Sequence, residues 1–171
     1  MKLKFEAQII TGRLKIYEEN DMSTPAYTVN VETEDNEHFR MKISGKHGRP
    51  VGEVLYKENL NNKFLMVNNY VIHDFEGNAQ IRARAEISKK IFFGENKDMY
   101  LTRSIRDRKM MFYDGDKLIM NLKCKTLIRN WLRGDYTAEI LDESYTSLCI
   151  CVIAVALNVI FDENNCTSFN P

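Results

Sequence analysis

Leu148-Cys149-Ile150-Cys151-Val152-Ile153-Ala154-Val155-Ala156-Leu157 is an unbroken run of ten apolar residues. Asn158 interrupts it, Val159-Ile160-Phe161 resumes it, and Asp162-Glu163-Asn164-Asn165 closes it. Three structures compete for such a run. A membrane span needs about twenty apolar residues and usually a basic flank; this stretch is shorter and has no Lys or Arg on either side. A buried strand is favoured by the Val and Ile content, but strands usually run 4–8 residues. A helix apolar on every face must be buried on every face. Asp142-Glu143-Ser144, just before the run, supplies N-cap chemistry and acidic residues for a first turn. The expectation is a helix over about 143–161, stopped by 162–165.

The rest of the chain shows what buries it. Leu3, Phe5, Ala7 and Ile9 alternate with Lys4, Glu6 and Gln8, the period-2 pattern of a half-buried strand. Leu14 and Ile16, then Tyr27, Val29 and Val31, continue it on either side of a polar loop containing Pro25. Phe39, Met41 and Ile43 follow, then Val51 to Tyr56 after a loop at 45–50. Val71 to Asp74 runs into a Phe75-Glu76-Gly77-Asn78 turn, after which Ile81, Ala83, Ala85 and Ile87 alternate with Arg82, Arg84 and Glu86. Gly94-Glu95-Asn96 and Asp114-Gly115-Asp116 are further turns. Leu118, Met120, Leu122 and Cys124 form an inward set, and Thr126–Leu132 and Tyr136–Ile140 flank a turn at 133–135. This makes about twelve strands, with turns at the spacing of sandwiches and barrels. A mainly β chain can enclose a whole helix only by closing its sheet around it. The expected fold is therefore a closed antiparallel barrel of about twelve strands around a buried hydrophobic C-terminal helix. Closure removes the sheet edges, and a barrel this wide needs a plug. With no linker or composition break, residues 1–164 form one domain and 165–171 a short tail.

Three features of the sequence carry a family likeness: the Phe5–Tyr17 hairpin, the Tyr136-Thr137-Ala138-Glu139-Ile140 strand, and Ile150 to Asn158, an apolar run closely followed by a polar residue. In these the chain resembles the tubby C-terminal-like superfamily, and within it the single-domain LURP-one-related proteins. The resemblance implies a twelve-stranded antiparallel barrel around a central helix. It also implies partners of the kind that family binds: phosphoinositides and membranes for tubby proteins, phospholipids for scramblases. No headgroup-binding motif of the family can be matched to residues here, and no calcium loop is recognisable.

The net charge is zero, from 24 basic and 24 acidic side chains. It is uneven along the chain. Residues 80–133 hold 14 basic and 6 acidic side chains, whereas 134–171 hold 6 acidic and no basic ones. Strand phase puts Arg82, Arg84, Lys123 and Lys125 opposite the inward set, and Arg106 and Arg108 share a phase with Thr102 and Ser104. Neighbours in sequence tend to be neighbours in a sheet, so these six basic residues are expected to form a stripe on the barrel exterior. Two readings of the stripe stand side by side: a docking surface for anionic phospholipid or other phosphate ligands, and a solvated wall balanced by nearby acids. Nucleic acid is the weaker candidate partner. Trp131 has three readings: part of an anionic-ligand surface, part of an interface, or partly buried packing.

No catalytic motif is present, and the sequence implies no cofactor or metal. His38, His47 and His73 are scattered. Gly45-Lys46-His47-Gly48-Arg49-Pro50 lacks the Gly-Lys-Ser/Thr ending of a phosphate loop. Cys124, Cys149, Cys151 and Cys166 show neither metal-knuckle nor disulfide spacing; charges alternate with apolar residues over Met1–Ala7, so no secretory signal is expected. The expectation is a cytoplasmic, non-enzymatic binding or scaffold protein, peripheral to membranes if the stripe binds lipid. The alternatives are an enzyme with a surface site between hairpin loops, with His73 and Asp74 as example candidates, and a tail-anchored, scramblase-like protein held by 145–161.

Overall fold

In the computed structural model the description covers residues 1–8, 13–33, 38–57, 68–85, 90–104, 109–124 and 135–166. The expected strand at Thr126–Leu132, and Trp131, Arg106, Arg108 and Lys125, lie outside the described residues.

Twelve strands follow one another: β1 (Lys2–Gln8), β2 (Arg13–Glu18), β3 (Tyr27–Thr33), β4 (His38–Gly45), β5 (Pro50–Lys57), β6 (Asn68–Asp74), β7 (Ala79–Ala85), β8 (Lys90–Phe93), β9 (Met99–Ser104), β10 (Lys109–Asp114), β11 (Lys117–Cys124) and β12 (Asp135–Ile140). Each pairs antiparallel with the next, and β12 pairs with β1 to close the barrel. This is an up-and-down meander. A 3-10 turn at Glu143–Tyr145 leads into α1 (Thr146–Cys166).

Interior volume and plug match. Twelve strands about 4.8 Å apart and tilted by roughly 40° enclose a cylinder about 24 Å across. A helix about 10–12 Å thick and one layer of wall side chains fill that width. Every residue from Ser147 to Leu157 is buried. Each large apolar side chain there contributes about 2 kcal/mol by leaving water. The helix lies off-centre, closest to β5 and β6. There the wall is thin: a Cβ on Gly52 would meet the His73 carbonyl oxygen at 2.7 Å and Cys151 Sγ at 2.9 Å. Aliphatic wall side chains and a few rings fill the rest of the interior. Phe5 stacks on Tyr136, 5.3 Å between centroids, and Phe93 meets Phe112 edge-on at 5.3 Å.

The inward phase agrees with the sequence at Leu3, Phe5, Leu14, Ile16, Val29, Met41, Ile43, Ala83 and Leu122, all buried. It departs at two places. Val31 shares the phase of Val29 but is 41% exposed. In β11 the register against β10 shifts between Phe112 and Tyr113, so Ile119 bulges, and Ile119 and Met120 are both buried while Leu118 is only partly covered. A bulge inserts one unpaired residue and breaks alternation there.

The helix ends differ from expectation. Residues 143–145 form the 3-10 turn, with Asp142 accepting from the Ser144 backbone N–H as its cap. Hydrogen bonds from Lys117, then from Ser144, hold the Asp142 carboxyl down to about 2. At the other end the helix runs on to Cys166 instead of stopping at 162–165. Asp, Glu and Asn are weaker helix formers than Ala, but the strong breakers, Gly and Pro, do not occur between 158 and 166. Asn158, which interrupts the apolar run, accepts a 2.8 Å hydrogen bond from the hydroxyl of Tyr70 on β6. The polar residue thus ties the helix to the wall and satisfies a buried tyrosine.

Candidate functional site

Outward side chains on β7 to β11 form the candidate surface. In β7, Ala83 faces the core, so Arg82 and Arg84 face out and are exposed. In β8, Ile91 and Phe93 face in, which turns Lys90 and Phe92 out. Phe112 and Met110 set the phase of β10 and put Lys109 outside; Leu122 does the same for Lys123 in β11. Pairing then fixes the neighbours. Lys109 lies directly across from Lys123 on one side and Ser104 on the other. Like charges in directly opposed positions repel, at a cost of about 0.2–1 kcal/mol.

Of the sequence-predicted residues, Arg82, Arg84 and Lys123 therefore stand on one exterior wall; Arg106, Arg108 and Lys125 fall outside the described residues. Lys90 and Lys109 belong with them and were missed. The signal was available in the apolar partners: Ile91 with Phe93 and Met110 with Phe112 define the phase that turns both lysines outward.

What distinguishes four cations of this wall is that no described carboxylate pairs with them, whereas Lys117, also on β11, pairs with Asp142. Among the described residues, Arg82, Arg84, Lys109 and Lys123 have no carboxylate within 4.0 Å, and Lys90 rests over a ring. Elsewhere on the barrel Lys4 faces Glu19 at 3.5 Å, Lys42 faces Glu32 at 2.8 Å, Lys46 faces Glu18 at 3.6 Å and Arg49 is bonded to Glu76. Of the acids of the basic arc that are described, Glu95, Asp98 and Asp116 sit in the connections between strands and Asp114 ends β10. From Lys90 to the turn at Gly94 is about 13 Å along the strand, beyond a Debye length at physiological salt. Asp114 is further occupied by the Tyr145 hydroxyl, which donates to it at 2.6 Å.

A hollow of about 210 Å³ borders the wall, lined by Lys2, Glu19, Asn121, Lys123, Thr137 and Glu139. Its two carboxylates make it a poor anion cradle. A larger hollow, about 580 Å³, lies apart from the wall, over the turns around Pro25 and Lys46. We place the candidate site on the wall because charge, not concavity, is what the sequence concentrates there.

The two residues named as example enzyme candidates, His73 and Asp74, do not converge. His73 and Asp74 are consecutive in β6 and point to opposite sides of the sheet. His73 Nδ1 lies 3.0 Å from Glu53 Oε1, and Glu53 Oε2 faces Arg40 Nη1 at 3.7 Å. Asp74 is 5% exposed and accepts from the Gly77 backbone N–H at 3.0 Å, as the first residue of the turn. Cys149 and Cys151 are buried thiols. Burial pushes Cys149 up to about 12 and Cys151 higher, so neither is poised as a nucleophile. Among the described residues no helix is long and apolar enough to cross a membrane. Compared with known proteins, the chain matches no family model, no curated protein and no solved structure.

Proposed function

We propose that this protein is a non-enzymatic docking module that holds phosphate-bearing partners on the outer wall of β7–β11. The observation that carries the reading is the set of exposed cations there, Arg82, Arg84, Lys109 and Lys123, without carboxylate partners among the described residues. Unpaired cations on one side of a molecule of zero net charge favour polyanions by position, not by total charge. The resemblance to tubby-like proteins supports phospholipid headgroups as one carrier of that phosphate; such binding would make the protein peripheral to an anionic membrane.

Phosphocellulose chromatography tests it. The wild-type chain is expected to be retained and to elute with salt. Arg84→Gln/Lys109→Gln/Lys123→Gln together are expected to abolish retention. Lys42→Gln/Lys46→Gln/Arg49→Gln lowers the net charge by the same amount on the opposite side and is expected to leave elution almost unchanged. Equal shifts in the two triple variants would show that bulk charge governs retention and would sink the reading.

A further inference from the structure

Three aromatic rings lie in one outward row across the basic wall. Phe92 on β8 pairs with Tyr100 on β9, and Tyr100 pairs with Tyr113 on β10. Arg84 extends the row on β7 as the partner of Phe92. All three rings are partly exposed. Tyr100 and Tyr113 stack, 5.1 Å between centroids and 17° apart. Lys90 Nζ lies over Tyr100 and Lys97 Nζ over Phe92, each 5.0 Å from the ring centre. Lys109 and Lys123 lie farther along β10 and β11 from this row, so cations flank the rings.

We infer that this face binds single-stranded nucleic acid, with bases on the Phe92–Tyr100–Tyr113 row and backbone phosphates on Arg84, Lys90, Lys109 and Lys123. The inference rests on the phosphate-docking reading and names its partner. Two features select a flexible strand. The first is curvature. From β7 to β11 the cations span four of the twelve inter-strand steps, about a third of the circumference, or about 19 Å of wall. A planar bilayer touches a convex wall along two or three strands, whereas a single strand can follow the curve and meet every cation. The second is the rings. Headgroups and duplexes present phosphate but no exposed base faces; unpaired bases stack on aromatic side chains, each stack contributing roughly five- to a hundredfold in affinity.

Lys90 over Tyr100 shows how the face serves both roles. An ammonium on an exposed ring gains only a few-fold. An arriving phosphate offers that ammonium a charge-assisted partner, and the vacated ring face can take a base. One nucleotide therefore replaces one weak contact with two stronger ones. Phosphate contacts make such binding steeply salt-dependent, and stacking makes it tolerant of sequence.

Fluorescence anisotropy with a fluorescein-labelled oligouridylate of twelve nucleotides tests the proposal, alongside an RNA duplex of the same length and phosphatidylserine vesicles. The single strand is expected to bind at least tenfold more tightly than the duplex. Tyr100→Val/Tyr113→Val keeps strand propensity but removes π-faces; it is expected to cost the single strand about tenfold or more and the duplex nothing. Photocrosslinking of wild-type protein to a bromouridine oligomer keeps the test independent of variant folding, with adducts expected at Phe92, Tyr100 or Tyr113. Equal affinity for strand and duplex, unmoved by the Val pair, would overturn the inference and leave phosphate docking intact. Binding to vesicles but to no oligonucleotide would overturn it in favour of a membrane. Binding to none of the three probes would remove both readings.

Discussion

Gly52→Ala is expected to lower the melting temperature by roughly 4–12 °C, the consequence of about 2–3 kcal/mol of lost stability in a chain of this size. The added methyl would lie 2.7 Å from the backbone oxygen of His73 on the neighbouring strand β6 and 2.9 Å from Cys151 Sγ on the helix. The carbonyl belongs to the sheet and cannot step aside without moving β6. The thiol is also confined, because Cys151 is fully buried. Relief can be apportioned with a double-mutant cycle. Cys151→Ala removes the sulfur, so it is expected to recover about 0.5–1 kcal/mol of the Gly52→Ala loss and to leave the remainder, which belongs to the carbonyl. Thermal unfolding followed by circular dichroism measures all four proteins. A Gly52→Ala variant melting with the wild type would mean that helix and wall do not approach each other here.

This contact illustrates which parts of the structure the sequence could disclose. Alternation is a property of one strand at a time, and it was legible: Leu3 and Phe5, Met41 and Ile43, Leu122 are inward in the barrel as their spacing implies. Closure followed from a single argument, that a helix apolar all round must be surrounded. Relations between elements were not legible in the same way. The bulge that buries Ile119 beside Met120 is a register shift between two strands. The proximity of Gly52 to Cys151 depends on the helix lying off-centre, which no local pattern encodes. The stop expected at 162–165 failed because polar residues end a helix only when the backbone gains from leaving it, and α1 continues to Cys166.

The candidate site divides along the same line. The excess of basic residues over 80–133 is a count, so it was visible, and Arg82, Arg84 and Lys123 are on the wall it implied. That Arg82, Arg84 and Lys123 face no carboxylate among the described residues was not visible, because Lys42 and Lys46 look no different in sequence and yet each faces a glutamate. The Phe92–Tyr100–Tyr113 row was hidden for a related reason. The three rings are 8 and 13 residues apart along the chain, and only strand pairing brings them side by side.

Ile153→Asp is expected to abolish cooperative folding at neutral pH. Ile153 is fully buried midway along the enclosed segment of α1. Losing its side chain alone costs about 2–5 kcal/mol. An unpaired carboxylate in that position adds several more, and the sum approaches the roughly 5–15 kcal/mol that holds a domain together. Ile153→Met, which nearly conserves volume, is the control and is expected to cost less than about 1.5 kcal/mol. The pH dependence has a definite sign. Burial favours the neutral acid, so the folded variant's carboxyl is raised above its unfolded value of about 3.9. The variant is therefore least impaired, relative to wild type at the same pH, below about 4, and loses ground as pH rises. Thiol labelling supplies a second readout. Cys149 and Cys151 are enclosed and protonated in the native barrel, so a thiol reagent followed by mass mapping is expected to leave both unmodified in wild type and in Ile153→Met, and to modify both in Ile153→Asp at pH 7. A charged residue at 153 that left the melt cooperative and the two thiols protected would place the helix outside the barrel. A helix apolar on every face would then not imply a sheet closed around it.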